Sequence, residues 1–312
     1  MILRRLLVGS LLAASTLAAT ALALDRLFPP DLSRYRERST EIVDANDRLL
    51  RAFTTSDGKW RLRTTADDVD PTYLAMLKAY EDRRFDVHWG IDPFAVFRAA
   101  EQWIGRGRIV SGASTLSMQA ARLLDPGLQP AAKRSLLTKA VQSARALQLE
   151  WRYSKREILA IYLTLAPMGG NLEGVRSASF AYFGKEPRHL SVAEAALLVA
   201  LPQSPETRRP DRFAEAARKA RDRVLARVAE AGLATAAEIA AARDEPVPTA
   251  RKPFPNLAPH VAEQVVAEAP AARSHRLSLD ARLQAALEAL ARDRSLGLSP
   301  QVGQQRRRRQ RQ

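Results

Sequence analysis

The chain has 312 residues, 46% of them hydrophobic, and no cysteine: it can bury a sizeable core in one large domain, or one domain with a fragment of another, but disulfides, thiol catalysis and cysteine-rich zinc sites are excluded. The formal charge of +15 remains +10 without the five arginines of the tail, a balance that suits nucleic acid, anionic lipid headgroups or a phosphate-bearing substrate. The four histidines are scattered with no His-Glu-x-x-His spacing, which argues against a zinc hydrolase, and abundant Ala, Leu and Arg favour helices over strands.

Arg4 and Arg5 precede nineteen uncharged residues, Leu6 to Leu24. As a helix this run is about 28 Å long, close to the roughly 30 Å of bilayer hydrocarbon. The preceding arginines place the N-terminus in the cytoplasm. Because the run exceeds the apolar stretch of a signal peptide, residues 1–25 read as a transmembrane anchor; Ala21-Leu22-Ala23 keeps a cleaved signal peptide open. Either reading exports the body, which argues against nucleic acid as a partner.

Residues 26–64 read as a linker, with Phe28-Pro29-Pro30, followed by a small β element: strand-like runs at 41–45 and 48–53, a turn at Ser56-Asp57-Gly58-Lys59, and Trp60-Arg61-Leu62. From Pro71 the periodicity is helical, with Tyr73, Leu74, Leu77 and Tyr80 on one face of a helix that leads into Glu81. Further helices are expected over 93–104, 115–124, 131–152, 154–166, 172–183, 191–201 and 211–231, several of them capped by Asp or Ser. After about residue 245, Pro246, Pro248, Pro253, Pro255 and Pro259 read as a linker; one more helix opens near Leu277, and the Gln/Arg tail is expected to be disordered.

Four segments concentrate reactive side chains. The first, Glu81-Asp82-Arg83-Arg84-Phe85-Asp86-Val87-His88-Trp89-Gly90-Ile91-Asp92, is either an acid/base centre with a cationic rim or a helix end with solvated charges. The second, Gly112-Ala113-Ser114-Thr115-Leu116-Ser117-Met118-Gln119, is a helix start that can bind an anion or simply cap itself. The third is a basic helix in which Lys139, Gln142 and Arg145 are expected to continue one face, with Lys133 and Arg134 before them. The fourth runs from Lys155-Arg156-Glu157-Ile158-Leu159 through Tyr162-Leu163-Thr164 to a glycine turn and Glu173, which is open between a structural salt bridge and a site role.

In this order and spacing the four segments resemble glycosyltransferase family 51, the lysozyme-like transglycosylase domain of class A penicillin-binding proteins, over roughly residues 40–235. Leu190-Ser191-Val192-Ala193-Glu194 and Leu201-Pro202-Gln203-Ser204-Pro205 resemble that family's closing helix. Leu147-Gln148-Leu149-Glu150-Trp151 and Ala166-Pro167-Met168-Gly169-Gly170 look nearest to its 1C type. Two positions depart from the family pattern: Gln142 stands where a second glutamate is usual, and Thr164 where asparagine is usual. Gln142 can hydrogen-bond but cannot titrate.

The resemblance implies a mainly α, lysozyme-like domain at 65–235, with a small β element near its N-terminal root and an N-terminal transmembrane helix. It implies polymerisation of lipid II into peptidoglycan strands, with release of undecaprenyl pyrophosphate and inversion at the anomeric carbon. Glu81 is then the general base, kept ionised by Arg83 and Arg84. Asp82, Arg83, Phe85, His88, Gly112, Ser114, Thr115, Gln119, Arg134, Lys139, Gln142, Lys155 and Glu173 are the expected substrate-binding residues, and Arg145 joins the cations that face the pyrophosphate. A divalent cation, magnesium or manganese, is compatible with that chemistry, although no ligand cluster specifies one. The expected location is the bacterial inner membrane, single-pass, with the catalytic domain outside the cytoplasm. Phe94, Phe97, Trp103 and Ile104, with Arg106 and Arg108, form either a membrane-dipping helix or ordinary core. Residues 236–312 read as a linker, the start of a truncated transpeptidase region and the basic tail, so glycan synthesis without cross-linking is expected, with a separate transpeptidase as a possible partner. Ser56-Asp57-Gly58-Lys59 fits Ser-x-x-Lys but lacks the companion motifs of a penicillin-binding site. A lytic lysozyme-like enzyme and an inactive membrane scaffold remain the alternatives.

Overall fold

The computed structural model describes residues 15–16, 19–20, 22–106, 114–125, 127 and 136–309. Gly112, Lys133, Arg134 and Arg108 lie outside them, as do residues 6–14, 17, 18 and 21 of the apolar N-terminal run, and the side chains of Trp103, Ile104 and Arg106 are not described. Among the described residues no helix is long and apolar enough to cross a membrane.

Helices dominate. Several of their starts follow from side chains that satisfy the free amides of a first turn. Helix α1 is the short Ser33–Arg36. Helix α2, Pro71–Glu81, begins with Asp70 accepting from the Thr72 amide and Pro71 at the first helical position. Helix α3 is Pro93–Arg106. Helix α4, Leu116–Leu124, is capped by Thr115, and α5 is Leu136–Arg152. Helices α6 (Lys155–Leu165) and α8 (Val192–Ala200) each start with a reciprocal Ser/Glu box, Ser154 with Glu157 and Ser191 with Glu194. Between them lies α7, Val175–Phe183, and after them come α9, Ala214–Glu230, and α10, Ala236–Asp244.

Burial explains how they pack. Ile158 to Leu165 of α6 and Ala195 to Ala200 of α8 are buried without interruption, so these two helices form the centre. Helix α8 packs against α2 and α9, and α4 against α5 and α6. Tyr73, Met76, Leu77, Leu116, Leu149, Leu163 and Leu198 share one core cluster.

Two small sheets flank the helices. In the first, β1 (Thr40–Val43) pairs antiparallel with β2 (Leu49–Phe53) as the sequence predicts. The expected third run does not join it. Trp60–Arg61 (β3) instead pairs with β5 (Leu172–Glu173), beside β4 (Pro167–Gly169), in a second sheet. The helix expected from residue 172 therefore starts later, at Val175. Gly174 separates strand from helix at φ +84°, where a Cβ would lie 2.6 Å from the Thr164 carbonyl oxygen.

The proline-rich region is only partly a linker. An extended segment after α10 leads to α11, Pro259–Glu268, in which Pro259 opens the helix instead of breaking the chain. β6, Ser274–Arg276, then joins β1 in parallel. A second cluster, with Ile42, Leu50 and Ala262 buried at its centre, forms between this sheet and α11. The last helix, α12, spans Ala281–Arg309 and runs into the segment expected to be disordered.

Candidate active site

Glu81 is the last residue of α2, where the chain leaves the core and turns. Its carboxylate is held at both oxygens: the Gln119 amide donates to Oε2 at 2.9 Å and the Gln203 amide to Oε1 at 2.7 Å. Gln119 belongs to α4. Gln203 ends the 3-10 turn Leu201–Gln203 that follows α8. The site is thus assembled from segments more than 120 residues apart. The charge of Glu81 also reaches two buried phenols: burial first, and that charge second, push Tyr73 and Tyr162 above the ordinary tyrosine range. Neither hydroxyl has a hydrogen-bond partner among the described residues.

Asp82, Phe85, His88, Gly90 and Asp92 of the first motif face inward. Asp82 is buried, accepts from the Leu116 amide at 2.9 Å and holds His88 Nε2 at 2.9 Å. The Gly90 amide donates to His88 Nδ1 at 3.1 Å, so the ring proton belongs on Nε2, toward Asp82. The Thr115 hydroxyl donates to the Gly90 carbonyl at 2.5 Å. Together these bonds fasten the motif to the start of α4. Phe85 is 1% exposed, with Lys155 Nζ 4.6 Å from its ring centroid. Asp82, Phe85, His88 and Thr115, expected to bind substrate, are buried and engaged by other groups of the protein.

Several expected cations are also committed elsewhere. Lys155 donates to the His88 carbonyl at 2.5 Å and to Glu150 at 2.7 Å. Arg84 does not sit by Glu81: it pairs with Asp92 and stacks on Phe94 at 4.2 Å. Burial raises the Asp92 carboxyl, but Arg84 and the Ala95 and Phe94 amides outweigh it and hold it below its ordinary value. Arg145 donates to the Phe28 carbonyl and Gln148, both at 2.7 Å, on the side of α5 that meets the N-terminal segment. Six residues at 100° each leave it about 120° away from Lys139, so the two do not share a face. Glu173 is buried between Arg61 at 2.6 Å and Arg34 at 2.8 Å, the ion pairing that the salt-bridge reading expects. Thr164, at the departure from asparagine, is buried; its hydroxyl donates to the Thr64 carbonyl at 3.2 Å and accepts from the Thr64 amide at 3.1 Å.

What remains of the expected set is smaller. Arg83 is exposed directly beside Glu81 and makes no ion pair among the described residues. Lys139 donates to the Ser114 hydroxyl, which brings α5 to the start of α4. Gln142 is buried on the same helix. Two residues outside the expected set belong here. Gln203 lay in the closing motif, without a role. Arg122, one turn after Gln119 on α4, lines a polar cavity of about 720 Å³ with Arg34, Lys59, Gly170, Glu173 and Glu206. Their signals were available: an amide at the end of the closing helix, and a three-residue spacing from Gln119. Among the described residues no cluster of His, Asp or Glu has the arrangement to hold a metal ion.

Residues 46–229 match the transglycosylase family. The chain is 44% identical to penicillin-binding protein 1C of Escherichia coli over 271 residues, covering 86% of this chain and 34% of that protein. It is 34% identical to penicillin-binding protein 1A of Aquifex aeolicus over 210 residues, 67% of this chain and 28% of that one. The chain thus spans about a third of the length of these relatives. The crystal structure of penicillin-binding protein 1A from Haemophilus influenzae aligns over 74% of this chain and 24% of that one, with a TM-score of 0.39 and 20% identity. By its matched residues and its relatives, the chain belongs to the transglycosylase family and is like penicillin-binding protein 1C.

Proposed function

We propose that the protein is a peptidoglycan glycosyltransferase that polymerises lipid II, with Glu81 as the general base. The observation that carries this reading is the Glu81 carboxylate, gripped by two amide donors beside the solvent-facing Arg83. Hydrogen bonds from the two neutral amides fix the direction of the carboxylate and bring no opposing charge to it. Glu81 takes the proton from the 4-hydroxyl of the acceptor sugar. The freed oxygen forms a bond to the anomeric carbon of the growing chain, and the bond from that carbon to the pyrophosphate oxygen breaks with inversion. Its electron pair leaves with undecaprenyl pyrophosphate. Arg83, Lys139 and Arg122, with the Ser114 hydroxyl, supply positive charge and hydrogen bonds for that leaving group. Asp82 and Asp92 are each engaged by protein partners, so they do not fit as ligands for a magnesium or manganese ion, and no step here needs one.

The lipid substrate accounts for a second observation. Val87, Trp89, Phe94 and Phe97 are 68–74% exposed on and before α3. Such a patch favours the membrane-dipping reading over core packing. With residues 1–25 as an anchor, the domain would lie on the outer face of the inner membrane. The boundaries 26–64, 65–235 and 236–312, and a separate transpeptidase partner, belong to the same proposal.

The test is the product. Given labelled lipid II, the full chain should release undecaprenyl pyrophosphate and build polymer. Anhydro-sugar fragments from preformed glycan would favour the lytic alternative, and substrate binding without turnover would favour the scaffold.

A further inference from the structure

The extended segment between α10 and α11 lies outside the site described above, yet it reaches toward it. Arg251 in this segment donates to the Asn171 side-chain oxygen at 2.9 Å and to the Gly169 carbonyl at 3.0 Å. Its Nε lies 3.3 Å from Asp211, which also binds Arg209 at 2.6 Å. Burial raises the Asp211 carboxyl, but Arg209 and Arg251 outweigh it and hold it below its ordinary value. The two guanidinium groups close on the turn between β4 and β5. A Cβ at Gly169 would come within 2.5 Å of the Arg209 side chain, and one at Gly170 within 2.8 Å of Arg251.

That turn is bound to the loop that carries Gln203. The Gly170 amide donates to Glu206 at 2.7 Å, and Arg208 donates to the Gln203 side-chain oxygen at 3.1 Å and to the Ala200 carbonyl at 2.7 Å. Gln203 then donates to Glu81. We propose that Arg251 is a positioning residue for Glu81, acting through the Gly169–Gly170 turn and the 203–211 loop. This rests on the reading of Glu81 as the base. Gln203 has a flexible side chain at the end of a single 3-10 turn, so its direction depends on what holds the loop, and the clamp on the turn holds it from one side while Arg208 holds it from the other. The segment is itself anchored at the far side: Phe254 stacks on Trp60 at 4.1 Å, and the Leu257 amide donates to Leu50 of β2 at 2.8 Å. Arg251 therefore links the first sheet to the base.

Polymerisation of labelled lipid II by the full chain tests this with Arg251→Ala, Arg251→Lys, Gln203→Ala and the Arg251→Ala/Gln203→Ala double variant. Arg251→Ala should lower kcat roughly tenfold with KM within about twofold, as misplacement of a distant support does. Arg251→Lys should recover part of it, and the double variant should be no slower than the slower single one. An unchanged kcat in Arg251→Ala, or additive losses in the double variant, would overturn the proposal. The Gln203 side-chain amide signal in nitrogen-15 NMR, assigned by its loss in Gln203→Ala, reads the position without catalysis. It should move in Arg251→Ala, and an unmoved signal would overturn the proposal whatever the activity. If Arg251→Ala does not fold, Arg251→Lys carries the same two measurements, since it keeps the charge near Asp211 and loses the two-pronged contact to the turn. Equal turnover by wild type and Glu81→Gln would instead refute Glu81 as the base, leaving the NMR result to decide the clamp.

Discussion

Glu81 stands at a helix end with each carboxylate oxygen occupied by an amide, so its orientation depends on Gln119 and Gln203 together. Gln119→Ala should therefore lower kcat by roughly tenfold while KM changes little, because a misdirected base loses rate before it loses substrate. Steady-state polymerisation kinetics check this; a loss confined to KM would make Gln119 a substrate ligand. At this scale the segments that meet at the candidate site were legible, and which of their side chains face in or out was not. The charged string Glu81 to Asp92 shows no periodicity that separates the solvent-facing Arg83 from the buried Asp82 and His88. Those two turn inward because the Leu116 amide and the Gly90 loop must be satisfied away from water, a requirement set by residues far along the chain.

Elements position the site through their ends. Helix α2 delivers Glu81 at its last residue, α4 starts against Asp82, and the strand-to-helix change at Gly174 closes the turn packed behind α6. Gly174→Ala should cost about 1–3 kcal/mol, since the backbone there is left-handed and the new methyl would strike the Thr164 carbonyl. Urea unfolding measures it, and a variant as stable as wild type would show that the turn can relax. Helices with polar caps were legible in the sequence because Ser154, Ser191 and their partner glutamates mark the starts. Helix α11 was not, since Pro259 at a first helical position looks the same as a proline in a linker. The basic face of α5 was drawn too wide for a related reason: Lys139 and Gln142 are neighbours on a helix, but one more step of three carries Arg145 around to the N-terminal segment.

The whole molecule joins its two ends. The turn between β1 and β2 meets the start of α12 at Asp44, which is fully buried and accepts from the Arg48, Asn46 and Ala281 amides and from the Arg48 side chain. Burial raises the Asp44 carboxyl, but these bonds outweigh it and hold it below its ordinary value. A carboxyl depressed on folding stabilises the protein above its unfolded value, about 3.9, and loses that contribution as pH falls through its folded value. Asp44→Asn should therefore be less stable than wild type at pH 7, with the gap narrowing below about pH 4. Denaturant unfolding at both pH values checks the sign; a gap that widened in acid would contradict it. Pairings such as Trp60–Arg61 with Leu172–Glu173 escaped the sequence because two-residue strands more than a hundred positions apart leave no local pattern. The family resemblance supplied the assembly that periodicity could not. Its central claim, a carboxylate base at Glu81, is tested most directly by single-turnover polymerisation of labelled lipid II with wild type and Glu81→Gln. The account predicts a rate at least about a hundredfold lower in the variant with lipid II still bound, since general-base transfer contributes on that order; a variant polymerising at the wild-type rate would contradict it.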